Sequence, residues 1–161
     1  MNSQTTFTQV TPSGRAAITT IVVRGPNAIN VVADFFESAS KKILAAGTIN
    51  KILFGKWQAP LTVAEDLVVC LREINVVEIH CHGGTAACES ISACLQSRGC
   101  VKTSWQHQTS NYYGGSAYCQ DVWELVPLTT TRVTTQIALR HATGEIDRLL
   151  DDVRHEISSG K

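Results

Sequence analysis

The sequence has little charge and no excess of either sign. Charged residues make up 17% of its 161 positions, and 14 basic side chains balance 14 acidic ones. A neutral total excludes a nucleic-acid-binding surface that extends over the whole protein, although a local basic patch is still allowed. No apolar run approaches the ~20 residues that a membrane span requires, so no membrane partner is expected.

Several motifs are also missing. The six cysteines contain no CxxC pair, and the polar start of the chain does not resemble a secretory segment. This usage predicts a cytoplasmic protein with reduced, mostly buried thiols. No GxxxxGK[ST] phosphate-binding loop is present, so no conventional GTP site is expected in these residues. No nucleophile motif is found either, and we predict no catalytic residue.

The pattern of β-branched and helix-forming residues predicts an α+β fold. The expected strands are 16–24, 49–57, 64–71, 75–81 and 100–104, and the expected helices are 26–36 and 85–98. With one extra strand left out, this order is the ferredoxin-like split β-α-β-β-α-β arrangement.

The C-terminal part of the sequence is helical in pattern. We expect a short helix at 118–125 and, after Thr129, a long helical stretch to the end. We therefore divide the chain into a domain at 1–116 and a helical extension at 117–161. The long stretch has one continuous apolar stripe, formed by Leu139, Ala142, Ile146, Leu149, Leu150, Val153 and Ile157. Such a stripe packs against a helix from a further segment, against a second copy, or against the sheet of its own chain. We expect a homodimer.

The segment from Glu78 to Gly84 is the most distinctive feature of the sequence. Alternation along a strand places Glu78, His80 and His82 on one face, where a carboxylate and two imidazoles are poor core residues unless they are satisfied. Gly83 and Gly84 then lead into a helix N-terminus, where backbone can approach a ligand. Three interpretations are open: a metal site, a general base, or a ligand site at a strand-to-helix turn. In a purely structural alternative, the histidines only bind neighbouring backbone.

A second feature is the turn at 11–15, with sequence TPSGR. Arginine beside a turn is usually solvated, but the planar guanidinium of Arg15 can also bind a carboxylate or phosphate through two hydrogen bonds.

Together these segments resemble a known family. The sequences TPSGRAAITTIVVRGPNA (11–28), EDLVVC (65–70) and VEIHCHGG (77–84) are similar to the N-terminal domain of the tRNA-modification GTPases called MnmE or TrmE. That domain typically carries TPxGRGxIxxxRxSGxxA and, later, GEDxxExxxHGG. The resemblance extends from about Thr11 to Gly99, and its most specific matches are Glu78, His82, Gly83 and Gly84.

The resemblance implies a fold and several partners. The family domain is dimeric, is related to the folate-binding glycine-cleavage T-protein, and binds a formyl-tetrahydrofolate near the dimer interface. In the whole protein a GTPase domain is inserted in a following helical domain. With an MnmG-like (GidA-like) flavoprotein, that protein modifies the wobble uridine of certain tRNAs.

The sequence also departs from the family pattern. The family's strand arginine falls on Val22, while Arg24 lies two residues further on the same strand face, and no lysine matches the family's later folate contact. The resemblance implies a tetrahydrofolate-type ligand, and these departures predict that it binds weakly or not at all. We predict that Glu78 and Arg24 are the main ligand contacts, with Arg15, His80, His82, Gly83 and Gly84 nearby. The alternatives are a small metal-dependent enzyme that uses His80 and His82, and a scaffold that has lost its ligand.

Overall fold

The structure is a computed structural model that describes residues 4–12, 16–60, 63–106 and 117–159. The chain forms two compact units, Met1–Thr103 and Ser104–Lys161. From the sequence we placed the boundary between the two parts after residue 116, whereas the units of the structure divide after Thr103. Residues 107–116, which lie between these two boundaries, are outside the described part of the chain.

In the described residues, the first unit contains a seven-stranded sheet with the order β3-β4-β5-β6-β2-β1-β7. Neighbouring strands pair antiparallel, except that β1 and β7 are parallel. The strands are β1 (Thr6–Gln9), β2 (Ile18–Arg24), β3 (Phe36–Ser38), β4 (Ile52–Trp57), β5 (Glu65–Glu73), β6 (Val76–His82) and β7 (Val101–Lys102).

One face of this sheet is covered by the helices α1 (Ala28–Ala33) and α2 (Thr85–Ser97). Alternate residues of the central strands point into a single hydrophobic core together with one side of each helix. This core includes Ile21, Val23, Val77, Ile79, Val31, Val32, Ile91 and Leu95. The opposite face, which we call the open face, carries the other residues of the same strands, and most of these are half-buried or exposed.

The predicted α+β class is confirmed, and the strands predicted at 16–24 and 75–81 pair as β2 and β6. Two of the strands, β1 and β3, were not predicted from the sequence. The short β1 lies between β2 and β7, where its Phe7 is buried. The first helix ends at Ala33 instead of Phe36, because Phe36 begins β3 and pairs with Trp57 on β4.

The second unit contains α3 (Ala117–Leu125), α4 (Arg132–Ala142) and α5 (Glu145–Ser158). The expectation of one long helix after Thr129 is wrong, because Gly144 adopts a left-handed conformation (φ 75°) and separates α4 from α5. Thr131 caps α4, since its hydroxyl accepts a hydrogen bond from the Thr134 N–H at 3.1 Å.

The apolar stripe on α5 is exposed. Leu149, Leu150 and Val153 are each 51% accessible, and Ile157 is 73% accessible. Among the described residues, no helix has both the length and the apolar character needed to cross a bilayer.

Candidate functional site

Four polar side chains form a connected network on the open face. Glu78 and His80 lie on β6, Thr20 lies opposite His80 on β2, and Arg72 lies on β5. The Thr20 hydroxyl is 3.1 Å from His80 Nδ1, and His80 Nε2 is 3.5 Å from one Glu78 oxygen. The other Glu78 oxygen is 3.7 Å from Arg72 Nε. The predicted proximity of Glu78 and His80 is thus observed.

The register of β2 against β6 determines what faces Glu78. Its direct cross-strand partner is Val22, and Arg24 lies two residues further along, opposite Val76. Diagonal neighbours of this kind are about 7–8 Å apart at their backbones, within reach of a long side chain. Arg24 is therefore on the same face as Glu78 but is offset from it by two residues along the strand.

His82 makes a different contact. Its ring Nδ1 is 2.5 Å from a carboxylate oxygen of Glu65, at the beginning of β5, and the His82 backbone N–H donates to the same oxygen at 3.4 Å. The His82 side chain is 73% exposed. The two histidines of the motif thus belong to two separate carboxylate–imidazole pairs.

The two glycines that follow the strand have different environments. A Cβ atom at Gly83 would overlap the backbone of Ala16, because Gly83 exchanges backbone hydrogen bonds with Ala16 and Ala17 at 3.3 and 3.2 Å. The space beside Gly83 is therefore filled by the protein itself and is closed to a ligand. Gly84 is the N-cap residue directly before α2, and a Cβ atom built on it meets no atom within 4 Å. It lines a cleft of about 360 Å³ with Gln9 and Cys88.

Arg15 lies outside the described residues, so its prediction is not tested. Thr11, from the same turn, is described, and its side-chain oxygen accepts a hydrogen bond from the Thr20 N–H at 3.2 Å. The turn therefore contacts the strand that carries the hydroxyl partner of His80.

Sequence analysis missed three members of these contacts: Thr20, Glu65 and Arg72. Glu65 was visible only as the first letter of the EDLVVC segment. Thr20 and Arg72 have no local signal, because their role depends on which strands pair and in which register.

Two further properties restrict the chemistry of this region. In the described residues, no group of three or more His, Cys, Asp and Glu side chains is placed to hold one metal ion. Cys81, between the two histidines, faces the core, and burial raises the pKa of its thiol to about 11, with smaller contributions from Cys88 and Glu65. The thiol is therefore protonated at neutral pH and is a poor nucleophile.

The geometry of the network allows recognition of a ligand. The Glu78 side chain is 29% exposed, so its carboxylate can accept hydrogen bonds from a ligand that carries adjacent N–H groups. His80 and Arg72 lie beside the two carboxylate oxygens, and the Thr20 hydroxyl is within hydrogen-bond distance of the His80 ring. Fold and site together define an α+β domain that presents a partly exposed carboxylate on the open face of a mostly antiparallel sheet.

Comparison with known proteins identifies the family. Residues 5–105 match the family model described as the GTP-binding protein TrmE N-terminus. The chain belongs to this family, and the matched range contains both the sheet and the Glu78 network.

The full-length relatives are tRNA modification GTPases. The chain is 27% identical to the tRNA modification GTPase MnmE of Oceanobacillus iheyensis, in an alignment that covers 91% of this chain and 34% of the relative. It is 23% identical to the MnmE of Flavobacterium psychrophilum, with the same coverage. Identity to the MnmE of Christiangramia forsetii is 33%, over 56% of this chain and 20% of the relative. The chain thus spans about a third of the length of the first two relatives and is a domain related to tRNA-modification GTPases.

Proposed function

We propose that this chain is the ligand-binding and dimerisation domain of a tRNA-modification GTPase of the MnmE type. Its ligand is a tetrahydrofolate-type one-carbon donor, bound on the open face at Glu78. In a full-length protein, a GTPase domain, an MnmG-like flavoprotein and tRNA are the proposed partners. The site of action would then be the cytoplasm.

The observation that carries the ligand proposal is the position of the Glu78 carboxylate. It has a nitrogen atom near each oxygen, at 3.5 Å for His80 and 3.7 Å for Arg72, and it is still partly accessible. A pterin ring presents a ring N–H beside an exocyclic amine, and a carboxylate accepts both bonds at once.

The same geometry predicts weak affinity. Val22, directly opposite Glu78, cannot bind an anionic group, and Arg24 is offset from that position by two residues along the strand. Each missing charge-assisted hydrogen bond costs about 1.5–3 kcal/mol, or roughly a ten- to hundred-fold loss of affinity. Arg24 is the cation on the strand that can take over part of this role, by contacting the glutamate tail of the ligand.

Titration of the chain with 5-formyl-tetrahydrofolate by calorimetry tests the proposal. We expect a dissociation constant well above the low-micromolar range, and no measurable binding for Glu78→Gln, which keeps the side-chain size but removes the charge. Glu73→Gln, at the exposed end of β5, is the matched control and should bind like the wild type. Arg24→Gln should weaken binding without abolishing it.

Other outcomes would contradict the proposal. Binding that is unaffected by Glu78→Gln would place the ligand away from this strand. No heat change at millimolar ligand would favour the scaffold hypothesis, in which the domain keeps the family fold without the ligand.

A further inference from the structure

A cluster of lysines lies at the β3 edge of the sheet. Residues 36–57 contain four lysines and a single acidic residue, Glu37, in a chain whose charges balance overall. All four lysines are exposed, and they are Lys41, Lys42, Lys51 and Lys56. This is the kind of local basic patch that an overall neutral composition allows.

Most of this positive charge is not neutralised by the protein. In the described part of the chain, no carboxylate lies within 4.0 Å of the ammonium groups of Lys41, Lys42 or Lys56. Glu37 and Asp66 are the cross-strand neighbours of Lys56, but neither forms an ion pair with it. Lys51 is held by a hydrogen bond to the Gly47 carbonyl at 2.9 Å, which fixes its ammonium near the same edge.

An exposed aromatic ring lies between these lysines. Phe54 is 56% accessible and lies on the open face, as Lys56 on the same strand does. A groove of about 200 Å³ runs beside it and is lined by Glu37, Ser38, Ala39, Lys41, Phe54, Gly55 and Lys56. The groove therefore combines a planar apolar surface with two cationic side chains.

We propose that this edge of the sheet binds a single-stranded segment of RNA, with one base stacked on Phe54 and the adjoining phosphates bound by Lys41 and Lys56. Exposed aromatic rings and lysines along one groove are the two elements by which proteins bind single strands without reading their sequence. An acidic protein segment would use the lysines but has no need for the ring, so the ring favours RNA.

The position of the groove relates it to the proposed ligand site. Phe54 pairs with Val68, and Val68 pairs with His80, so the ring and the Glu78 network are on the same face, two strands apart. Two strand spacings are about 10 Å. A base stacked on Phe54 would thus lie beside the tetrahydrofolate-type ligand. This spatial relationship rests on the proposed function, but RNA binding at the groove does not.

Fluorescence anisotropy with a labelled, unstructured 12-nucleotide RNA tests the proposal in the absence of folate. Phe54→Ala should weaken binding by about five- to 150-fold, the range for loss of one stacked base, and leave the salt dependence unchanged. Lys56→Gln should reduce the slope of log K against log salt concentration by about 0.7, the value for one lost phosphate contact. The matched controls are Ile18→Ala, an exposed apolar residue at the far side of the open face, and Lys102→Gln on β7.

Several results would overturn the proposal. The proposal is wrong if the control variants lose as much RNA affinity as the test variants do. It is also wrong if Phe54→Ala leaves the RNA affinity unchanged. If polyglutamate, added at the same total negative charge as the RNA, displaces the RNA, the partner is an acidic protein segment. If Phe54→Ala changes the sedimentation coefficient instead of RNA affinity, the groove is a contact between subunits. Because no folate is present, failure here is distinct from failure of the ligand proposal.

Discussion

Gly83 and Ala16 are in direct backbone contact at the end of the β2–β6 pair, and no side chain fits between them. The Ala16 N–H donates to the Gly83 carbonyl at 3.3 Å, and the Gly83 N–H donates to the Ala17 carbonyl at 3.2 Å. This glycine thus extends the pairing of the two strands that carry the candidate site.

Gly83→Ala should therefore destabilise the protein. A methyl group there forces the strand ends apart, and overpacking of this kind costs about 1–3 kcal/mol. Gly84→Ala is the matched control, because a Cβ atom at Gly84 meets open space and its φ of −102° suits any residue. Urea unfolding of both variants measures the difference. Equal stability of the two variants would show that the contact does not constrain the strand ends.

Dimerisation through α5 is the second prediction. Leu149, Leu150 and Val153 form an exposed apolar surface, so Leu149→Asp should weaken any dimer that buries it. His155→Asp, on the opposite side of the helix, is the control. Sedimentation velocity at micromolar concentration should show a dimer for the wild type and the control, and more monomer for Leu149→Asp. Intact assembly of Leu149→Asp and Ile146→Asp would show that the interface lies elsewhere, with the sheet as the next surface to test.

Zinc content is the third prediction. His80 contacts Glu78 and His82 contacts Glu65, so the two rings are not directed at one ion by these carboxylates. Protein purified without a histidine tag should contain far less than one equivalent of zinc by mass spectrometry. One tightly bound equivalent that is lost in His82→Ala, but kept in His155→Ala, would revive the metal-dependent enzyme hypothesis.

Stability at alkaline pH is the fourth prediction. Burial raises the pKa of the Cys81 thiol from 9.0 to about 11, so above pH 9 the unfolded chain loses this proton before the folded one does. Stability should fall as the pH rises from 9 to 11, and this thiol should account for about 2–3 kcal/mol of the loss. Cys81→Ala should show a shallower pH dependence in urea unfolding, although its stability at pH 7 is lower. An unchanged slope would mean that the thiol ionises equally in both states.

The strong local patterns were sufficient to predict the central elements. β-branched runs predicted the strands that became β2 and β6, and an amphipathic pattern that ends before Gly99 predicted α2. Gly99 has a φ of 81°, the conformation that glycine adopts after a helix. The short helix expected at 118–125 is likewise found as α3.

Weak or competing local patterns gave errors. β1 is only four residues long, and its strand conformation depends on pairing with β2 on one side and β7 on the other. Phe36 continued an apparent helical pattern, but its pairing with Trp57 makes it part of β3. Gly144 divides the last helical stretch into two helices, but the apolar stripe continues on both sides of it and led us to predict a single helix.

The candidate site shows the same division between local and tertiary information. Alternation along β6 by itself determined that Glu78 and His80 share a face, because side chains of a strand alternate regardless of what surrounds it. Only the pairing of three strands decided that Thr20 binds His80, that Arg72 approaches Glu78, and that Val22 instead of Arg24 lies opposite the carboxylate. Register is set by contacts between residues far apart in the chain, and a shift by one pair would have placed different side chains beside Glu78.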